Sequence, residues 1–289
     1  MHVFSRHPVR DLGWLVLAML LVPAGQVTAD ESPAATVPDS LPAKADLRPR
    51  FEQWGLERRE QGGRPTCSVF AVVGALEFAV AKQQRSGQRL SVEFLNWAAN
   101  QRRRNPRDGG FFFEMWSGFA AFGICREEDM PYAREFDSAR LPNAATLASA
   151  RSNLALSLGF NWIKRWNVNT GLTDTEFLDL KRTLHQGWPV CAGLRWPREE
   201  QWNDGVLQMC PPEAVFDGHS VLLVGYRDDA GQAGGGVFIF RNTNHGGCDG
   251  FMPYAYARAY MNDAAWIAPQ TGTSPSQTRL NSQPQTSGE

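Results

Sequence analysis

One cysteine stands at a position where its thiol could act as a nucleophile. Cys67 directly follows Pro65 and Thr66 and begins a predicted long helix. The amides and dipole at a helix N-terminus favour an anion, so a thiol there is expected to have a lowered pKa. From position alone, a structural role as a small buried residue or half of a disulfide is the commoner one. Cys67 is therefore a candidate nucleophile, and other residues must decide the assignment.

Two polar residues at strand ends could hold and move a proton beside that thiol. His219 directly precedes the apolar run Ser220–Tyr226, where an imidazole could exchange a proton with a thiol. Asn242 ends the run Val237–Arg241, and the Asp- and Gly-rich segment between the two runs predicts a β-hairpin. In such a hairpin the Asn242 amide could accept a hydrogen bond from one imidazole nitrogen and leave the other for the thiol. Taken alone, each is an ordinary polar residue at a strand boundary.

A glutamine upstream of the cysteine could stabilise a developing negative charge. Gln61 lies six residues before Cys67, behind Gly62 and Gly63. Its side-chain amide and the Cys67 backbone N–H could together bind an oxyanion. None of these residues is specific by itself, but a glutamine, a helix-starting cysteine, a strand histidine and a strand asparagine in this order are an improbable coincidence. A thiolate is the nucleophile that cysteine hydrolases need, so this order favours a nucleophilic role for Cys67.

The segments that carry these residues predict a helical first half and a strand-rich second half. Apolar residues recur at helical spacing over Val69–Val80, another helix is predicted over Phe113–Phe122, and Thr173 with Glu176 forms a capping box before a third. Strands are predicted at Pro189–Trp196, Ser220–Tyr226, Val237–Arg241 and Gly250–Tyr256. This order predicts an α+β fold of two lobes with the site in the cleft between them.

The composition excludes some classes of protein. The 289 residues include 29 Lys and Arg against 30 Asp and Glu, a formal net charge of -1, whereas nucleic-acid-binding proteins normally carry a basic excess. Hydrophobic residues make up 43% of the chain and charged residues 20%, which permits a substantial core and excludes general disorder. We therefore expect a folded protein without a nucleic-acid partner.

The first residues have the pattern of a secretory signal peptide. Arg6 and Arg10 precede the apolar run Trp14–Val22, and Val27-Thr28-Ala29 fits the small-residue cleavage pattern. The apolar run is shorter than a membrane-spanning helix requires. We therefore expect residues 1–29 to be removed on export to the periplasm or beyond, leaving no membrane anchor.

Composition also divides the rest of the chain. Residues 30–44 are rich in Pro, Ala and Ser and predict a linker, and residues 269–289 are rich in Gln, Ser and Thr and predict a disordered tail. The folded domain is expected at 45–268.

The five cysteines leave at least one thiol that is unpaired or bonded to another molecule. If Cys67 is that thiol, four others remain to form disulfides after export: Cys125, Cys191, Cys210 and Cys248. Four cysteines allow three pairings, and the spacing does not choose among them. A zinc site formed by these cysteines and His245 is an alternative, although no pair has C-x-x-C spacing. We expect no metal or other cofactor.

Several motifs resemble those of the papain-like cysteine peptidases, in the order in which that family has them. The segment from Gln61 to Ala71 resembles the nucleophile segment, and His219 with its flanking residues resembles the histidine strand. Further resemblances lie at Leu90-Ser91, Gly109-Gly110, Gly123-Ile124, Met130-Pro131-Tyr132, Val224-Gly225-Tyr226 and Arg241-Asn242-Thr243. The resemblance implies a helical N-terminal lobe, an antiparallel barrel-like C-terminal lobe and a peptide or protein substrate.

The resemblance also implies roles for individual residues. Cys67 would be the nucleophile, His219 the acid and base, Asn242 its orienting partner and Gln61 an oxyanion donor. Gly109 and Gly110 would line the edge that binds the substrate strand. Gly193 and Ser220 would lie near the pocket for the residue preceding the cleaved one.

Two departures from the family pattern leave alternatives open. Where the family has Cys-Gly-Ser-Cys-Trp, this chain has Arg64-Pro65-Thr66-Cys67-Ser68, so a disulfide cysteine and a tryptophan are replaced. Asn244 replaces the tryptophan that shields the His–Asn hydrogen bond in the family. The alternatives to an exported peptidase are a weakly active or inactive homologue that binds peptides or proteins, and a cysteine acyltransferase or amidase on the same fold.

Overall fold

The computed structural model describes residues 41–244 and 248–270. The expected signal peptide, most of the expected linker and nearly all of the expected tail lie outside these residues, as does His245. The unit Met1–Asp39 is entirely outside them, and all described residues belong to the unit Ser40–Glu289.

The first half is helical, as the sequence predicts. The helices are α1 (Arg48–Gln53), α2 (Cys67–Gln84), α3 (Val92–Asn100), α4 (Phe112–Phe122) and α5 (Ala144–Ser152). Ser91 caps α3 by accepting a hydrogen bond from the Phe94 amide at 2.9 Å. Thr66 occupies the N-cap position of α2, but its side chain makes no capping bond. Its hydroxyl lies instead 2.7 Å from that of Tyr132.

Helix α2 is the central element of the core. Nearly every residue from Cys67 to Ala81 is buried, because α3 and α4 pack on one side of the helix and the sheet packs on another. Gly74 permits the close approach, since a Cβ there would press on the Leu222 side chain. A helix held on several sides gives its first residue, Cys67, a fixed position.

The second half forms one sheet with a further pair of helices. Within the described residues, eight strands lie in the order β2-β9-β3-β6-β7-β8-β5-β4, and a ninth, β1, pairs with β6. The strands are β1 (Lys44–Asp46), β2 (Leu158–Lys164), β3 (Val190–Pro197), β4 (Trp202–Asn203), β5 (Val206–Leu207), β6 (Val215–Asp228), β7 (Gly236–Arg241), β8 (Asp249–Pro253) and β9 (Met261–Pro269). Along the chain, helix α6 (Asp174–His185) follows β2 and precedes β3, and α7 (Tyr254–Tyr260) follows β8 and precedes β9. All pairings are antiparallel except that of β5 with β8. The predicted α+β class is confirmed.

The predicted hairpin of β6 and β7 is also present. The two strands pair antiparallel from Leu222 with Arg241 to Asp228 with Gly236. Strand β6 is longer than predicted, because it begins at Val215 and runs through His219. His219 is therefore held by strand pairing on both sides of it in the chain, rather than standing at the strand's start.

The prediction of a strand over Gly250–Tyr256 is wrong after Pro253. The strand β8 ends there and α7 begins at Tyr254. Tyr256 and Tyr260 lie one helical turn apart, and their rings pack with centroids 4.9 Å apart. The predicted helix after the Thr173 capping box is confirmed.

Ordered structure begins before the predicted domain boundary at residue 45. The Asp228 amide donates to the Ala43 carbonyl at 2.7 Å, and the Tyr226 hydroxyl donates to the Pro42 carbonyl at 2.8 Å. Lys44 pairs with Arg227. The end of the expected linker is therefore bound along β6. Among the described helices, none combines the length and apolar character needed to cross a membrane.

Candidate active site

The thiol of Cys67 lies beside the segment that carries His219. Cys67 is the first residue of α2, and its Sγ is 3.8 Å from the Gly218 carbonyl oxygen. Burial raises the pKa of the thiol, and hydrogen bonds from the backbone and hydroxyl of Ser220 oppose the increase. This direction is opposite to the one that the helix N-terminus alone predicts, because Cys67 is only 8% exposed. Ionisation of this thiol therefore requires a positive charge next to it.

His219 and Asn242 form the predicted side-chain pair. His219 Nε2 and Asn242 Oδ1 are 3.0 Å apart. The backbone N–H of Asn244 donates to the same oxygen at 3.2 Å, so the amide oxygen and not its nitrogen faces the imidazole. His219 Nε2 is then the donor, and Nδ1 is the nitrogen that can exchange a proton with Cys67.

A tryptophan from another strand packs against His219. Trp196 of β3 packs against His219 with ring centroids 4.5 Å apart and is 2% exposed. Its indole N–H donates to Glu200 at 2.8 Å, which fixes the ring. Asn244, which replaces the family's shielding tryptophan, contributes only its backbone. This contact was not predicted, because Trp196 is distant from His219 in the chain and meets it only through the pairing of β3 with β6.

Three hydrogen bonds hold Gln61 in place, and two of them are to Thr243, the residue after Asn242. Its backbone N–H donates to the Thr243 carbonyl at 2.8 Å, and its Oε1 accepts from the Thr243 hydroxyl at 2.7 Å. Its Nε2 donates to the Arg64 carbonyl at 2.9 Å. An amide nitrogen carries two hydrogens, so the second can serve an oxyanion.

Arg64, which replaces the family's disulfide cysteine, joins the nucleophile loop to the turn of Gly109 and Gly110. Its guanidinium makes two bonds to Asp108, with Nη2–Oδ1 2.7 Å and Nε–Oδ2 3.0 Å, and a third to Glu93 at 2.6 Å. All three side chains are buried. Burial lowers the pKa of Arg64, but the bonds to the two carboxylates outweigh it and the net shift is upward. This network was not predicted. The one sign of it in the sequence was that Arg64 stands where the family has a disulfide cysteine.

The turn of Gly109 and Gly110 is fastened next to Cys67. Gly109 has φ 63°, and a Cβ there would collide with the Pro65 carbonyl, so glycine is required. The Gly110 amide donates to the Ser68 hydroxyl at 3.1 Å. Ser68, which replaces the family's tryptophan, thus ties the turn to the residue after Cys67. Gly193 and Ser220 are cross-strand partners in β3 and β6.

The expected disulfides are absent, since all five cysteines of the described structure are free thiols. The physical reason is their separation. Cys125 is buried with Phe94 and Met130, where burial raises its pKa to about 12. Cys191 is buried in the main core and donates to the Ala71 carbonyl at 3.4 Å. Among the described residues, no three His, Cys, Asp or Glu side chains gather as a metal site requires, so the zinc alternative finds no support in them.

Comparison with known proteins decides the family. The family model for "Papain family cysteine protease" matches residues 41–266. The chain belongs to the papain family of cysteine proteases. A comparison with curated proteins found no match.

Solved papain-like structures share this fold at low sequence identity. Xylellain, a cysteine protease from Xylella fastidiosa, superposes with a TM-score of 0.61 at 20% identity, over 80% of this chain and 87% of that one. Procathepsin L 3 of the Tenebrio molitor larval midgut gives 0.59 at 22%, over 80% and 71%. The proform of the ragweed pollen allergen Amb a 11, also a cysteine protease, gives 0.60 at 19%, over 82% and 69%. Membership of this protease family implies a peptide or protein substrate.

Proposed function

We propose that the protein is a peptidase that cleaves peptide bonds through Cys67, His219 and Asn242. The observation that carries the proposal is the His219–Asn242 hydrogen bond next to a Cys67 thiol that touches the residues on both sides of His219 in the chain. A base oriented by an amide and placed beside a thiol is what nucleophilic cysteine catalysis needs.

The proposed reaction begins with proton transfer from Cys67 to His219. The imidazolium so formed supplies the positive charge that the buried thiolate requires. The thiolate attacks the peptide carbonyl, and the Cys67 backbone N–H with the second Gln61 amide hydrogen stabilises the oxyanion. His219 then gives its proton to the leaving amine as the C–N bond breaks. Water, deprotonated by His219, hydrolyses the thioester and restores the thiol.

Gly109 and Gly110 would bind the substrate backbone at one side of Cys67. The Gly110 amide already donates to Ser68, so in this chain we expect its carbonyl to accept a hydrogen bond from the substrate. The burial of this turn against Pro65 and its connection to Arg64 through Asp108 support a rigid edge.

A peptide-cleavage assay tests the proposal and separates it from its alternatives. The mature protein is incubated with a peptide mixture, with and without hydroxylamine as an acyl acceptor, and new termini are mapped by mass spectrometry. We expect fragments with free carboxyl ends from the wild type and none from Cys67→Ala. Hydroxamate products alone would indicate an acyltransferase. A peptide that binds but stays uncleaved would indicate a non-catalytic homologue. The raised pKa of the Cys67 thiol would then explain the lack of cleavage, because a protonated thiol is a poor nucleophile.

We also propose export of the protein. The order of Arg6, Arg10, the apolar run Trp14–Val22 and the small residues before Asp30 supports it. N-terminal sequencing of the protein recovered from cell fractions tests this. We expect Asp30 as the first residue in an exported fraction, whereas an intact N-terminus in the cytosol would contradict export.

A further inference from the structure

The hydroxyl of Tyr132 connects the two ends of the loop that precedes the candidate nucleophile. It donates to the Gln61 carbonyl at 2.9 Å and lies 2.7 Å from the Thr66 hydroxyl. Because its single hydrogen goes to Gln61, the Thr66 hydroxyl is the donor in the second bond. Gln61 begins the loop of residues 61–66 and Thr66 ends it, immediately before Cys67 and helix α2. One side chain therefore holds both ends of this loop.

The two proposed oxyanion donors lie at these same ends. One is the second Nε2 hydrogen of Gln61, and the other is the backbone N–H of Cys67, which directly follows Thr66. Such donors stabilise a transition state only where they converge on one oxygen, so their separation matters. The chain between them includes Gly62 and Gly63, which are exposed, and a Cβ on either would meet no atom within 4 Å. Adjacent glycines allow wide backbone freedom, so the loop depends on support from outside it.

The backbone around Tyr132 is fixed at several points. Its own N–H donates to Glu127 Oε1 at 2.8 Å. The N–H of the next residue, Ala133, donates to Glu93 Oε2 of α3 at 3.0 Å. The Ala133 carbonyl accepts a hydrogen bond from Arg64 Nη1 at 2.8 Å. The tyrosine is therefore attached both to α3 and to the arginine of the loop that it bridges.

The ring of Tyr132 contacts the nucleophile helix and the same arginine. It packs edge-on against Phe70 of α2 with centroids 5.0 Å apart, and the Arg64 guanidinium lies 4.6 Å from its centre. Arg64 stands where the family has a disulfide cysteine, so the family pattern does not supply this contact. Neither contact involves the hydroxyl, so a phenylalanine ring at this position would keep both.

The Tyr132 hydroxyl keeps its hydrogen at acidic and neutral pH. Burial raises the pKa of Tyr132 above its ordinary value, and the hydrogen bond from Thr66 opposes the increase. A neutral hydroxyl can accept from Thr66 and donate to Gln61 at the same time. The bridge is therefore intact over the pH range in which the thiol and the imidazole would react.

We propose that Tyr132 is a positioning residue for the oxyanion hole: its hydroxyl fixes Gln61 relative to the Cys67 N–H, so that both donors reach one oxygen. This rests on the proposed peptidase function and adds to it a residue that acts through Gln61 and Thr66. The substrate oxygen becomes negatively charged only during the reaction. Loss of the bridge should therefore slow the chemical step and leave substrate binding nearly unchanged.

The substitution Tyr132→Phe tests the proposal, because it removes the hydroxyl and keeps the ring contacts. With a peptide amide substrate we expect kcat to fall about tenfold, as for the loss of one hydrogen bond, and KM to change by less than about twofold. The rate at which iodoacetamide alkylates Cys67 should not change, since that reaction forms no oxyanion. An unchanged kcat in folded Tyr132→Phe would overturn the proposal.

Two controls separate a positioning role from a general loss of stability. Tyr226→Phe removes a comparable bond, from the Tyr226 hydroxyl to the Pro42 carbonyl at 2.8 Å, near the far end of β6, and should leave kcat unchanged. In Gln61→Ala one oxyanion donor is already gone, so adding Tyr132→Phe should lower kcat by less than about threefold. Fully additive losses in this double variant, or an equal loss of kcat in Tyr226→Phe, would overturn the proposal.

A measurement on Gln61 itself separates this inference from the proposed function. The side-chain amide signal of Gln61 is identified in the amide NMR spectrum by its loss in Gln61→Ala. In Tyr132→Phe the signal should shift and its hydrogens should exchange faster with water, whereas Tyr226→Phe should leave both unchanged. This outcome supports the inference even if the wild type cleaves no peptide, which would contradict the proposed function alone. An unchanged Gln61 signal in folded Tyr132→Phe would overturn the inference.

Discussion

At the residue scale, Trp196 lies where it could shield the His219–Asn242 hydrogen bond from water. In the family this role belongs to a tryptophan after the asparagine. A hydrogen bond to an imidazolium is strong only where water is kept away, because the local dielectric sets its strength. In this chain we expect Trp196 of β3 to provide that exclusion, because its ring centroid is 4.5 Å from that of His219, whereas the residue two positions after Asn242 is another asparagine. The shielding role would then be filled from a different position in the chain.

Removal of the Trp196 ring should weaken catalysis more than folding. In Trp196→Ala, water reaches the His219–Asn242 bond, and we expect kcat/KM to fall about tenfold to hundredfold, as for the loss of a charged hydrogen bond. The acidic limb of the pH–rate profile should also move. Trp196→Phe, which keeps an apolar ring, should recover most of the activity. An unchanged pH profile in a folded Trp196→Ala protein would contradict a shielding role.

Burial of Asp263 on β9 should make the protein less stable as pH rises. Its folded pKa of about 7 lies above its usual value, so the neutral form is favoured by folding. The corresponding stability is present at low pH and is lost as pH rises towards and through 7. Asp263→Asn should therefore raise the free energy of unfolding at pH 8, by up to about 4 kcal/mol, and change it little at pH 4. Urea titrations at both pH values measure the difference, and a variant destabilised at pH 8 would contradict the account.

At the scale of elements, an ion-pair network connects two loops that flank the proposed catalytic residues. Arg64 precedes α2 and Asp108 precedes the Gly109–Gly110 turn, and Glu93 of α3 completes the network. The family joins this loop through a disulfide cysteine, which requires oxidation. Two charged bonds to one planar guanidinium fix orientation as well as distance, without any redox requirement.

Breaking this network should be costly because two carboxylates would stay buried without a cation. We expect Arg64→Met to lower the free energy of unfolding by about 3–5 kcal/mol. Arg64→Lys keeps the charge but not the paired geometry and should lose less. Arg126→Met is the matched control, because the Arg126–Glu128 pair is exposed and should matter by less than about 1 kcal/mol. Equal effects of Arg64→Met and Arg126→Met in denaturant titrations would contradict the role of the network.

For the whole molecule, the sequence predicted the parts of the fold whose patterns are local. Helical spacing after Cys67 and the glycine-rich turn before β7 were sufficient to predict α2 and the β6–β7 hairpin. Strand β9 was not predicted, because Met261-Asn262-Asp263 is polar and lacks the alternation of a half-buried strand. Its burial depends on β2 and β3, which are distant in the chain. The contacts of Trp196 and Arg64 and the burial of Asp263 were not predicted for the same reason, since each depends on residues brought close only by folding.

The prediction of disulfides was also wrong, because pairing depends on where the whole fold places each cysteine. Counting five of them predicted disulfides, but burial of Cys125 and Cys191 in separate clusters keeps them apart. We therefore expect a reducing agent to change the melting temperature by less than about 1 °C. Loss of a native disulfide typically costs 2–5 kcal/mol, which corresponds to about 5 °C or more in a domain of this size. A drop of that extent in calorimetry would show that disulfides do form.

Alkylation of Cys67 tests the central claim, that His219 activates this thiol, most directly. The protein is treated with iodoacetamide near pH 5, where ordinary thiols are protonated and slow, and the label is mapped by mass spectrometry. Partly exposed Cys210 and Cys248 act as internal controls. We predict selective labelling of Cys67 in the wild type, with its rate reduced to that of the controls or below in His219→Ala. An unreactive Cys67, or the same rate in both proteins, would contradict the Cys67–His219 pair.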